Sequence, residues 1–181
     1  MSLAEKILPH YTYEDYVQWE GKWELMEGFP IAMSPAPSLK HQWVASNLNY
    51  EIVAALKKAS CKKCRAYQPV DYKISEDTVL QPDLAIVCGD TKNKFLDFAP
   101  ALVVEILSPV TALRDRHTKF KIYEQQGIQY FLLVNIDSEN VEIYKLVNGT
   151  YELISYDDKV PFTFHLEDEC AIEIMLQHIW S

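Results

Sequence analysis

Two apolar runs near the middle of the chain, QPDLAIV at 81–87 and APALVVEILSP at 99–109, have the length of buried strands and are bounded by proline or polar residues. Each carries a carboxylate, Asp83 at the opening of the first and Glu105 inside the second. An ionised side chain in an apolar sheet is costly unless it is paired or bound to a metal. The segment that follows, TALRDRHTKFKIYEQQGIQY, is amphipathic and offers a partner, Lys119.

The remaining pattern reads in order. Thr12 followed three residues later by Asp15 predicts a capped short helix through Trp19, ended by Gly21. WELMEGFPIAMSP predicts two short strands around a turn at Glu27-Gly28, closed by Pro35 and Pro37. Ser38 caps a long helix over 39–58, in which His41, Val44, Ala45, Leu48, Ile52 and Ala55 or Leu56 recur at three- and four-residue spacing. From Cys64 the period changes to that of strands. RAYQPVDYKI and the run containing Asp83 flank a turn at Ser75-Glu76-Asp77, and the run containing Glu105 follows a polar loop. Thr111 caps a further helix to Gln126, with Gly127 as its C-terminal stop. QYFLLVN, VEIYKL and TYELISY, joined by DSEN and NG turns, predict a β-meander, and Ile172, Ile174, Met175 and Ile179 a short closing helix. No repeat, low-complexity run or linker divides the chain, so residues 1–181 are expected to form one domain.

Composition narrows the function classes. Apolar residues at 49% and charged residues at 24% are ordinary globular values, which argues against disorder. A net charge of −9 argues against a broad non-specific nucleic-acid surface while leaving room for a local basic patch. The N-terminal MSLAEKILPH lacks the apolar run of a signal peptide, and no stretch approaches the roughly 20 apolar residues of a membrane span. A cytoplasmic protein with no membrane partner is expected. Of four cysteines, Cys61 and Cys64 form one CxxC, whereas Cys88 and Cys170 stand singly. Structural zinc sites usually take two ligand pairs, so the thiols are read as reduced and metal-free.

Alternate residues of a strand share a face, so Glu105 points with Val103 and Leu107, and Asp83 with Ala85 and Val87. Were the two strands neighbours with those faces together, the carboxylates would converge at one end of the sheet as a site for a hard cation such as Mg²⁺. The bland alternative is a strand cap at Asp83 and a structural ion pair at Glu105. On an α-helix, Leu113 and Phe120 mark the centre of the apolar face and Tyr123 its flank. Lys119 falls on that flank, while Lys121 projects toward solvent. A surface pair of Lys119 with Asp115, four residues earlier, is the competing reading.

MSPAPSLKHQ, PDLAIV, VVEILSP, RDRHTKFKIYEQQGIQYFLLVN and VEIYKL together resemble the bacterial Uma-type family of restriction-endonuclease-like proteins, from about Trp23 to the C-terminus. That family is placed in the PD-(D/E)xK nuclease superfamily. The resemblance implies an α/β (mixed α+β) fold, a restriction-endonuclease-like core of mixed β-sheet flanked by helices, with the meander as an addition. It also implies a site in which Asp83 and Glu105 hold Mg²⁺, or Mn²⁺, for hydrolysis of DNA phosphodiesters. Pro82-Asp83 and Glu105 match the superfamily pattern, but its lysine two residues beyond the acid is Leu107 here. Lys119 matches a lysine moved onto the following helix, where it would act on the attacking water and the phosphate. The resemblance adds Glu24, in WELMEG, as a further acid of the catalytic set, and matches His41 to a histidine after the MSP segment. Gln81 replaces an arginine common in the family. Cutting both strands implies a homodimer. The alternatives are a binding module on the nuclease fold with little or no activity, and a purely structural pairing of Lys119 with Glu105.

Overall fold

The computed structural model of the chain describes residues 9–33, 36–167 and 169–181. Pro35, and most of the N-terminal segment read above as lacking a signal peptide, lie outside the described residues. The elements run in the order α1 (Tyr13–Tyr16), β1 (Trp23–Met26), β2 (Phe29–Ala32), α2 (Leu39–Lys58), β3 (Cys64–Tyr67), β4 (Tyr72–Ser75), β5 (Thr78–Leu80), β6 (Leu84–Cys88) and β7 (Leu102–Leu107). There follow α3 (Ala112–Arg114), a π-helical turn (Asp115–Lys119), α4 (Phe120–Gln125), β8 (Tyr130–Asn135), β9 (Asn140–Val147), β10 (Thr150–Ile154), β11 (Phe162–His165), β12 (Ala171–Ile174) and a 3₁₀ turn (Leu176–Trp180).

β7 and β6 are buried along their whole length, as unbroken apolar runs require, and lie inside a six-stranded sheet of order β10-β9-β8-β7-β6-β3. β7 and β8 pair in parallel, which the helical crossover between them makes possible; the other pairs are antiparallel. The sheet is therefore mixed, as expected, and β8, β9 and β10 form the expected meander. A second sheet of order β2-β1-β5-β4 and a β11-β12 hairpin complete the architecture.

Period-two alternation sorts the sheet into two faces. Leu84, Ile86, Leu102, Val104, Ile106, Leu132 and Val134 pack with Val44, Leu48, Ile52 and Leu56 of α2 and with Phe164, Ile172 and Ile174 of the hairpin. Ala85, Val87, Val103, Leu107, Phe131 and Leu133 face the other way, toward Tyr123 of α4, Leu80 of β5 and Tyr72 of β4. Each fully buried aliphatic side chain contributes about 1.5–3 kcal/mol, so β7 alone anchors both layers. Ser38 caps α2 as predicted, its Oγ accepting the His41 N–H at 3.2 Å.

Several expectations need correction. The first helix stops at Tyr16, although the Thr12 N–H does donate to Asp15 Oδ2 at 2.8 Å. Asp83 does not lie within a strand: the strand after the turn, β5, ends at Leu80, and β6 begins at Leu84. Ile172 and Ile174 are buried in alternation on β12 rather than on a closing helix; only Leu176–Trp180 turns, as a 3₁₀ segment. The cysteines are paired, not reduced. Cys64 and Cys88 face each other across β3 and β6, and form one disulfide. Cys61, just beyond α2, joins Cys170 before β12 across a separation of 109 residues. In chain-entropy terms a link of that span removes roughly 4 kcal/mol of freedom from the unfolded chain.

Candidate active site

Glu24 enters from β1, whose last three residues are all buried, and is itself 0% exposed. Its Oε1 accepts the Gln81 backbone N–H at 2.9 Å, so the segment joining β5 to β6 fixes its position. Glu105 projects from β7 on the same face as Val103 and Leu107, and its Oε1 accepts from Tyr123 Oη at 2.7 Å. Lys119 arrives from the π-helical turn. Its Nζ lies 2.8 Å from Glu24 Oε1, 2.9 Å from Glu105 Oε1 and 3.6 Å from Asp115 Oδ1. Lys119 and Asp115 are each 2% exposed, and Glu105 3%. Three sequence-distant acids thus converge on one buried ammonium.

The local backbone explains how both charges turn inward. An α-helical register predicted Leu113 and Phe120 as the centre of the apolar face. The π-turn inserts a wider loop between them and rotates the chain, so Leu113 is 76% exposed while Asp115 and Lys119 take the buried side. Lys121 pairs with Glu124 at the surface, in agreement with its predicted direction. Asp115 was expected at most in a surface pair with Lys119; the pair exists, but it is buried.

Asp83 stands apart from this triad. Extending the β6–β7 register by one residue sets it opposite Glu105, at the same end of the sheet. Its Oδ2 accepts the Ile106 N–H at 2.7 Å and lies 3.6 Å from His41 Nε2, and its side chain retains 26% exposure. His41, from the first turn of α2, closes this side of the cluster. Burial alone would lower its pKa, but the bond to Asp83 and the charge there raise it above the usual value.

Charge is the unusual quantity here. Glu24, Asp83, Glu105 and Asp115 face two permanent cations, Lys119 and Arg114, whose Nε lies 3.6 Å from Glu24 Oε2. Burial disfavours the Lys119 ammonium, yet Glu105, Glu24 and Asp115 together hold its pKa above the ordinary lysine value. Burial raises Glu105 well above the usual carboxylate range; Lys119 opposes this, while Asp115, Asp83 and Glu24 reinforce it. The two directions agree: surplus negative charge keeps the lysine charged and pushes a carboxyl toward protonation. Burial likewise raises Asp115 and, with Glu105, keeps Tyr123 a phenol and hence a donor. Among the described residues Glu24 Oε2, Asp115 Oδ1, Arg114 Nε and His41 Nδ1 are buried with no hydrogen-bond partner. Such orphaned atoms are uncommon in a finished core and mark groups kept for another partner.

The matching family model is Uma2, described as "Putative restriction endonuclease", and it spans residues 13–172. The chain belongs to the Uma2 family. A relative, the "Uncharacterized protein slr1290" of Synechocystis sp. strain PCC 6803, is 28% identical over 156 residues, covering 82% of this chain and 81% of its own. A crystal structure described as a "putative nuclease belonging to DUF820" from Anabaena variabilis superposes with a TM-score of 0.74 at 19% identity. It covers 93% of this chain and 97% of its own, and thus shares the fold. In this Uma2 chain three residues of the cluster escaped the sequence reading as site groups: Asp115, Tyr123 and Arg114. A signal for two of them was present, because Asp115, Lys119 and Tyr123 recur every four residues beside the strand acid.

Proposed function

We propose that this chain is a metal-dependent DNA endonuclease whose site is formed by Asp83, Glu105, Glu24 and Lys119. The observation that carries the reading is the Lys119 ammonium, 2.9 Å from the strand acid Glu105 and buried with it, approaching from the helical segment after that strand. It supports a lysine that has moved from the strand position now held by Leu107. Family membership supports hydrolysis of a nucleic acid, and the surplus of hard oxygen donors supports Mg²⁺ or Mn²⁺ as the cation.

Asp83 and Glu105 would hold the ion, with Glu24 adjoining. Their chemistry fits, since carboxylate oxygens suit a hard cation and two nearby buried carboxylate oxygens lack a partner. No three His, Cys, Asp or Glu side chains among the described residues are arranged as a ready metal cage, because the Lys119 ammonium lies between Glu24 and Glu105. When bound, such a cation stabilises charge on a scissile phosphate and lowers the pKa of an attacking water. Lys119 supplies a fixed positive charge and donor directed at the same place, as preorganised electrostatic stabilisation. Asp115 positions Lys119, Tyr123 holds Glu105, and the Gln81 amide holds Glu24. A homodimer would bring two such sites to the two strands of a duplex.

A module that binds without cutting is favoured by the closed lysine–carboxylate contact and by the net charge of −9. The two readings separate in a nicking assay on supercoiled DNA and on single strands, with Mg²⁺, Mn²⁺ or EDTA. Metal-dependent cutting that is lost in Asp83→Ala and Lys119→Gln, both still folded by circular dichroism, establishes the enzyme. Wild-type rates in Asp83→Ala sink the assignment. DNA retention without cutting by the wild type selects the binding module.

A further inference from the structure

The four cysteines converge at one corner of the molecule, on the opposite side of the sheet from the carboxylate cluster. Cys61 and Cys64 are three residues apart on the turn that leads from α2 into β3. Cys88 ends β6 directly opposite Cys64, with Cα atoms 4.0 Å apart. Cys170 precedes β12 and lies 5.4 Å, Cα to Cα, from Cys61. Cys61, Cys64 and Cys170 line a single surface cavity of about 530 Å³, and the bond to Cys64 brings the Cys88 sulfur to the same place. Cys64, Cys88 and Cys170 are all buried in the main core, with Cys61 packed against it. The positive-φ residues Ser60 (56°) and Glu169 (61°) each precede a cysteine, so two tight turns present Cys61 and Cys170 toward each other.

We propose that the reduced chain holds one Zn²⁺ on Cys61, Cys64, Cys88 and Cys170, so that the two disulfides and a tetrathiolate metal site are alternative states of the same four sulfurs. A CxxC pair supplies two tetrahedral ligands from one turn, and here two single cysteines complete the set by tertiary contact rather than by a second motif. Soft thiolates in a closed group of four select zinc over Mg²⁺ or Ca²⁺. A zinc ion with four thiolates carries a net charge of two negative. Lys62 and Lys63 line the cavity against the single acid Glu169, leaving a positive surround for that charge. The interconversion balances as follows. Two equivalents of a dithiol reductant deliver four electrons and four protons, breaking both S–S bonds to give four thiols and two oxidised dithiols. Zn²⁺ then displaces the four thiol protons. This inference does not depend on nuclease activity, since it uses none of the carboxylate residues.

The test uses the full chain, with zinc or cobalt as the probe. Protein reduced with a dithiol, desalted anaerobically and mixed with ZnCl₂ is expected to retain one zinc per chain by elemental analysis, whereas the oxidised protein retains none. Co²⁺ in its place should give thiolate-to-cobalt charge-transfer bands and the visible bands of a tetrahedral ion. Zinc should also raise the Tm of the reduced protein and protect its thiols from alkylation. Where the disulfides resist native reduction, the chain is unfolded in reductant and refolded with or without ZnCl₂. Cys170→Ser leaves the Cys64–Cys88 pair intact and should bind zinc at least 10-fold more weakly. Should Cys170→Ser fail to fold, Cys61→Ser provides the same comparison, and the alkylation pattern of wild type identifies the bound cysteines. Glu105→Gln should keep full zinc uptake, separating this site from the carboxylates. A reduced, folded wild type that takes up no zinc, leaves all four thiols reactive in its presence, or loses uptake in Glu105→Gln overturns the proposal.

Discussion

The two faces of the six-stranded sheet use the same strands to different ends. On the α2 side, Leu84, Val104, Leu132 and their neighbours form a dry apolar layer, closed at one corner by both disulfides. On the other side, the same β7 backbone presents Val103 and Leu107 with Glu105 between them, and the layer above carries Lys119, Asp115 and Glu24. Burying a charge requires compensation, and here one ammonium serves three carboxylates with orphaned oxygens left over. The first face is built for stability. The second gives up stability for chemical potential, as active sites commonly do.

Substitutions should separate these roles. The largest effect on stability is expected from Lys119→Met, which matches the side chain in length but leaves the buried carboxylates without their cation. A loss of about 3–5 kcal/mol in chemical unfolding is predicted, with cleavage abolished. On the dry face, Leu132→Ala should cost about 2–5 kcal/mol through transfer and cavity terms, yet leave cleavage per folded molecule close to wild type. A cleavage defect in Leu132→Ala beyond its unfolded fraction would show that the faces are not separable.

The smallest effect concerns the pair outside the cluster. Arg116 Nη1 and Nη2 donate to Glu142 Oε2 and Oε1 at 3.0 and 2.7 Å, and Tyr144 Oη donates to Glu142 Oε2 at 2.6 Å. The Arg116 hydrogen bond, with help from Tyr144 and the Arg116 charge, holds the Glu142 pKa below its ordinary 4.5 despite partial burial. A depressed folded pKa contributes stability that is fully present above the unfolded value and lost as pH falls through the folded one. Glu142→Gln should therefore cost about 1 kcal/mol at neutral pH, and the difference from wild type should shrink below pH 4.5. Glu105 has the opposite sign. Its raised folded pKa means that its contribution worsens as pH rises from 4.5 through the folded value, so Glu105→Gln should be at least as stable as wild type at neutral pH by thermal unfolding.

Much of this arrangement could be read before any coordinates. Apolar runs of strand length located β6 and β7, period 3.6 with a serine cap located α2, and the turn residues located the meander. An acid in an apolar strand identified Glu105 as unusual, because its cost is local and visible. What escaped depends on backbone geometry or on distance along the chain. The π-turn changes the helical period over only five residues, which hid the burial of Asp115 and turned Leu113 to the surface. Asp83 follows a break after β5 that Gln81-Pro82 signalled weakly. Cys88 and Cys170 stand singly in sequence, and only the sheet register and the β11-β12 hairpin bring them to the CxxC turn.

The measurement that bears most directly on the division between faces is metal-dependent cleavage of supercoiled DNA by purified Glu105→Gln beside wild type, both shown folded by thermal unfolding. The expected result is a loss of at least roughly 100-fold in cleavage rate with an equal or higher Tm, as for removal of one preorganised charge-stabilising group. Wild-type cleavage by Glu105→Gln, or a collapse of its Tm without loss of specific activity, would contradict the account and make the carboxylate–lysine cluster a structural pairing.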